Sequence, residues 1–140
     1  MTKNYEIVLN YIKDLSVEIP DAETFLFSRE NITKYTLGLN ISTNPIKDQT
    51  IEVITNLNYK DKSENKRKSY FEISYATVIK LKNKEIKKDE LERLILCDLQ
   101  NEIYPNLERI FLKSIKEAGF PDMKLDKKID FEKLYQQKLN

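Results

Sequence analysis

The sequence predicts an α+β fold, and three observations carry that prediction. Four stretches of period-two apolar alternation come first, and a three- and four-residue apolar spacing takes over after Lys88. No strand–helix–strand alternation joins the two halves. The expected architecture is a four-stranded antiparallel sheet with two C-terminal helices packed on one face, residues 1–140 forming a single domain.

The first strand sends Leu15, Val17 and Ile19 to the core and Asp14, Ser16 and Glu18 to water, and Pro20 ends it. The residues up to Glu30 read as a loop carrying Phe25 and Phe27. A second strand groups Tyr35, Leu37, Leu39 and Ile41 and stops at Ser42-Thr43-Asn44-Pro45. The third groups Ile51, Val53, Leu57 and Tyr59, and a polar connection over residues 60–68 lets the chain reverse. The fourth is the longest, with Phe71, Ile73, Tyr75, Thr77, Ile79 and Leu81 on one face.

Beyond Lys88, Leu91, Leu94, Ile95, Leu99, Ile103, Leu107, Ile110, Phe111 and Ile115 describe an amphipathic helix. Pro105 removes a backbone donor and is expected to kink or break it near residues 101–104. Gly119 supplies a left-handed C-cap, and Pro121 forbids continuation. Asp130 caps a last short helix through Tyr135 to about Lys138.

Composition excludes several classes of function. Lys+Arg 24 against Asp+Glu 23 leaves no basic excess, which argues against a nucleic-acid binder; the clusters at 66–68 and 80–88 read as solvated loop charge. Histidine is absent, which removes the commonest general base and metal ligand, and the single cysteine, Cys97, lacks a histidine partner for nucleophilic or zinc chemistry. Two glycines, Gly38 and Gly119, cannot build a phosphate-cradling loop. Neither an enzyme nor a cofactor is expected; catalysis would have to use carboxylates, lysines or tyrosines. A lone cysteine suits a reducing compartment, and no stretch has a signal-peptide apolar region or the ~20 apolar residues that span a bilayer. The expectation is a cytoplasmic protein without membrane insertion.

Two segments carry more information than the rest. Near the N-terminus stand Tyr11, Lys13, Asp14, Leu15, Ser16, Glu18, Pro20 and Ala22. Near the C-terminus, Gly119-Phe120-Pro121 is followed by Asp130-Phe131, Leu134 and Tyr135. Between them lie Glu72-Ile73, Tyr75-Ala76 and the helical set Asn101, Ile103, Tyr104 and Pro105. In this order the set resembles the bacterial protein-export chaperone family SecB. The departures are Val17 where an aromatic is usual, Asp21 for an asparagine, Leu99-Gln100 for a Cys-Pro pair, and Glu108 where an arginine is usual. Members are also typically acidic, whereas this chain is nearly neutral.

The resemblance implies an ATP-independent holdase that keeps precursor proteins unfolded and delivers them to the export motor SecA. It implies a homotetramer built as a dimer of dimers, with Ile103, Pro105, Leu107 and Phe111 at the oligomer contact. Asp14, Glu18, Tyr70 and Glu72 match the family's docking surface for a basic segment of SecA; the plain alternative is a solvated strand edge. Phe25, Leu26, Phe27 and Phe120 match the walls of a client groove; the alternative is that the loop's rings are tucked into the core. Two other functions remain open: a SecB-like chaperone dedicated to a single partner such as an antitoxin, and a small-ligand-binding α+β domain.

Overall fold

The computed structural model describes residues 3–61, 68–125 and 129–139, excluding the side chains of 138 and 139. Its elements are β1 (Tyr5–Glu18), α1 (Ala22–Asn31), β2 (Thr36–Pro45), β3 (Thr50–Lys60), β4 (Tyr70–Leu81), α2 (Lys88–Arg93), α3 (Leu99–Glu117) and α4 (Phe131–Leu139). The strands form one antiparallel sheet in the order β1-β4-β3-β2, so β1 and β2 are its two edges. The chain must therefore travel from one edge to the other between β1 and β2. A helix makes that crossing where the sequence reads as a loop. Asp21 caps α1 by accepting from the Thr24 N–H at 2.7 Å, and Ile32–Lys34 tighten into a short 3₁₀ turn before β2.

The alternation in the last three strands decides the faces as expected. Phe71, Ile73, Tyr75, Thr77, Ile79 and Leu81 of β4 are buried, beside Val53, Leu57 and Tyr59 of β3. The opposite face carries Glu72, Ser74, Asn56 and Asn58. The long helix lies on the apolar face: Asn106 donates to the Tyr75 hydroxyl, and Thr55 donates to the Gln100 side chain.

β1 departs from expectation. It begins at Tyr5, nine residues before Asp14, because two bulges, between Ile7 and Leu9 and between Ile12 and Asp14, break the alternation that would reveal it. Leu15 pairs with core residue Ile73 but is 43% exposed, because the strand lies at the sheet edge beyond full cover. Of the three residues assigned to the core, Val17 and Ile19 pack against it partly buried and Leu15 does not enter it.

The helical half corrects a second expectation. Helix runs from 88 to 117 and passes through Pro105 without a break. Its irregularity is one π-helical turn, Leu94–Asp98, upstream of the proline. The wide turn buries Leu94, Ile95 and Cys97, and Gln100 donates to the Ile95 carbonyl at 3.2 Å. Beyond it, Leu99, Ile103, Leu107, Phe111 and Ile115 recur every fourth residue along the buried face. The C-terminus is a Schellman cap: Gly119, at φ +116°, donates to the Lys116 carbonyl, and Phe120 donates to that of Ile115. Asp130 caps α4 through the Lys133 N–H, as the sequence predicts.

Candidate functional site

The polar face of the sheet gathers four residues singled out above. In the β1–β4 register Asp14 lies opposite Ser74, Ser16 opposite Glu72 and Glu18 opposite Tyr70. Glu72 thus sits diagonal to both Asp14 and Glu18, at spacings of roughly 7–8 Å. Tyr70 donates its hydroxyl to the Glu72 carboxylate. Lys60 lies opposite Tyr70 on β3. Further along the same face, Glu52 accepts from Tyr11, from Lys13 at 3.2 Å and from Asn44 at 3.1 Å. Those donors, Tyr11 first, hold its carboxyl below the usual range. Glu52 is thus engaged within the chain, whereas Asp14 and Glu18 are exposed.

On the other face an open groove of about 830 Å³ runs beside the edge strand β2. Tyr35, Leu37, Leu39 and Tyr59 form one wall, and Met123, Leu125, Ile129 and Leu134 form the other. Lys124, Asp130 and Lys133 supply charge among these apolar walls. The outer wall depends on α4 being held in place. Arg93 donates to Glu132 at 2.7 Å, Cys97 donates to the same carboxylate at 3.1 Å, and Phe131 meets Tyr104 edge-on with centroids 5.4 Å apart. Burial, followed by the neighbouring Glu132, pushes the Cys97 thiol up to about 11, so it remains a protonated packing group.

The four residues assigned to the client groove do not line this one. Phe120 is 3% exposed and belongs to the core, and Phe25 lies edge-on against it with centroids 5.1 Å apart. Leu26, 62% exposed, and Phe27, 40% exposed, project from α1. The signals that could have found the observed groove were Leu37 and Leu39 on an uncharged strand and the apolar pair Met123 and Leu125 after Gly-Phe-Pro. The oligomer set also divides. Ile103, Leu107 and Phe111 are buried inside the chain's own core, so only Pro105 remains outward for a contact.

Residues 1–140 match the family model described as preprotein translocase subunit SecB. The chain belongs to the SecB family. A putative protein-export protein SecB of Pelagibacter ubique is 46% identical over 140 residues, covering all of both chains. The protein-export protein SecB of Bartonella bacilliformis is 27% identical over 135 residues, 96% of this chain and 83% of that one. In fold, the chain is similar to a SecB-like chaperone of Mycobacterium tuberculosis solved with a peptide from an antitoxin: TM-score 0.60, 10% identity, 89% and 91% coverage. At that identity the likeness establishes the fold alone. SecB membership makes the chain a chaperone of protein export, and neither the single-partner nor the small-ligand reading is favoured. No helix among the described residues is long and apolar enough to cross a membrane.

Proposed function

We propose that this SecB-family chain is a passive, ATP-independent holdase that binds extended segments of unfolded precursors in the groove beside β2 and hands them to SecA through its acidic sheet face. The observation that carries the reading is the groove itself. It is open, walled by apolar side chains and adjacent to a free strand edge. β2 pairs with β3 without a register shift and carries no charged residue along its ten positions. Before Pro45 it carries neither a charge nor a bulge to protect the edge, so a client could add main-chain hydrogen bonds to side-chain burial. Binding the unfolded form alone holds a client open by mass action, about 2.7 kcal/mol at a hundredfold excess over Kd. No catalytic step is required, and the place of action is the cytoplasm, before export.

The docking assignment rests on Asp14, Glu18 and Glu72 sharing one wet face with Tyr70. Such a carboxylate cluster steers a basic module at long range and weakens with salt. Homotetramer formation is supported from the β1 edge rather than from the buried residues of α3. Val8, Leu9, Tyr11, Ile12 and Leu15 are exposed there beside an unpaired strand flank, and a closed symmetric association would cover them.

The test is suppression of aggregation of reduced, denatured clients, with light scattering on the same sample. The expected result is protection near one client per oligomer, unchanged by ATP, at a mass four times that of the chain. Absence of protection across several unrelated clients overturns the holdase reading, and a strict monomer overturns the tetramer.

A further inference from the structure

The wet face of the sheet has two ends of different character. At one end Asp14 and Glu18 are exposed, and Glu72 lies diagonal to both. At the other end the carboxylate of Glu52 is already engaged. Its Oε2 accepts from the Tyr11 hydroxyl, and its Oε1 accepts from Lys13 at 3.2 Å and from Asn44 at 3.1 Å. Donors meet both oxygens, and the Glu52 side chain is only 13% exposed. An incoming cation finds neither oxygen free.

The backbone of β1 explains how Lys13 comes to lie there. Ile12 pairs with Tyr75 and Asp14 with Ser74, which leaves Lys13 as the extra residue of a bulge. Counted back from Asp14, strict alternation would turn Lys13 toward the core face; a bulge re-aims it. Glu52 stands on β3, two strands from β1, so Tyr11 and Lys13 both cross β4 to reach it. In register with Tyr11, β4 carries Ala76, fully buried although it shares the wet-face parity of Ser74 and Glu72. So small a side chain leaves room for the crossing. Lys13 is itself 44% exposed, and ion pairs of that kind add little stability. What the pair changes is the charge that this end of the face offers to a partner.

We infer that Lys13 is a specificity-determining residue of the docking face: held over Glu52 by the bulge, it fills the place that a lysine or arginine of the motor's basic segment would otherwise take, and so confines that segment to the Asp14, Glu18 and Glu72 end. The inference rests on the docking reading above and deepens it. Lys13 acts through Glu52, as a built-in competitor for one carboxylate, and Tyr11 and Asn44 hold that carboxylate in place.

The experiment measures binding of a synthetic peptide of the basic SecA segment to the full chain at low salt. Lys13→Gln should tighten binding roughly three- to tenfold, with the gain shrinking as salt rises. Lys13→Arg, which keeps the cation, should bind as the unaltered chain does. Lys13→Gln with Glu52→Gln should lose most of the gain. Carbodiimide coupling gives the second readout, one that a merely structural role would not move. It should join Lys13 to Glu52 within the unaltered chain, and join a peptide lysine to Glu52 only in K13Q. Unchanged affinity in K13Q, or an equal gain with and without Glu52, overturns the inference. Should K13Q not fold, the unaltered chain decides: added peptide should leave the internal Lys13–Glu52 link at full yield, and loss of that link overturns the inference. Binding by the unaltered chain that is absent, or indifferent to Glu18→Lys with Glu72→Lys, removes the docking reading itself and this inference with it.

Discussion

α3 and α1 are both helices on the apolar side of one sheet, and they are built on opposite principles. α3 presents Leu99, Ile103, Leu107, Phe111 and Ile115 as a continuous buried stripe, with Thr55–Gln100 and Tyr75–Asn106 hydrogen bonds fixing its position. α1 has no such stripe and holds its place with hydroxyl bonds and one half-buried ring. A repeating buried stripe makes an element part of the cooperative fold, whereas scattered contacts leave it free to open alone. Truncation should separate them. Phe111→Ala should cost about 3–5 kcal/mol in denaturant unfolding, as expected for a ring buried in a core. Phe25→Ala should cost about 1 kcal/mol, the scale of a single aromatic contact. Equal losses would break the distinction.

The same contrast explains what could be read in the sequence. β2, β3 and β4 were legible because each buries one face and shows it at period two. The buried stripe of α3, the Gly119 cap and the Asp130 cap were legible because each is local chemistry. α1 was not, because its apolar residues lack helical phase; the surviving signal was Asp21 as an N-cap three residues before Thr24. The first half of β1 was hidden by its two bulges. The π turn at Leu94–Asp98 has no signature residue, and Pro105 sits seven residues beyond its end without breaking the helix. Strand parity puts Asp14 and Glu18 on the wet side, whereas their grouping with Tyr70 and Glu72 rests on the family resemblance and on the β1–β4 pairing. The groove could not, because its second wall comes from residues 123–125 and 129–134, and their placement against β2 is purely tertiary.

A pH titration sharpens the comparison, because Cys97 and Tyr104, whose protons burial holds, lie on the long helical segment. Burial, then Glu132, raises the Cys97 thiol from 9.0 to about 11. Burial also raises the Tyr104 hydroxyl, as it does that of Tyr5, where Glu102 adds to it. Each folded group keeps its proton at a pH where the unfolded one has lost it. The folded state therefore binds more protons, and stability must fall as pH rises through that window. Denaturant midpoints should hold steady up to about pH 8.5 and decline from about pH 9 upward. Cys97→Ser should remove part of the decline between pH 9 and 11. Thiol reagents should label Cys97 slowly at pH 8, at a rate set by opening of the scaffold. A flat alkaline profile, or fast labelling at pH 8, would place Cys97 on a looser element than the contact of α4 with the π turn allows.

The smallest effect on folding is expected on the face that touches neither helix. Glu18→Lys with Glu72→Lys reverses two carboxylates diagonal to each other across β1 and β4. Both sit on the wet side of the sheet, so the change in stability should stay within about 0.5 kcal/mol per substitution. Tyr70 loses its carboxylate acceptor, but its hydroxyl can turn to water. The groove walls are unaltered, so client holding should be preserved. Binding of a basic SecA segment should instead weaken roughly five- to tenfold at low salt, mostly through association rate. The difference from the unaltered chain should shrink as salt shortens the range of the field. Lys60, opposite Tyr70, and Lys13, bound to Glu52, make this a stringent case, because the face already carries positive charge. Unchanged motor binding at low salt would remove the docking role from these residues. Lost holding with intact motor binding would instead connect this face to clients or to a subunit contact, through the β1 edge that Glu18 shares with Leu15.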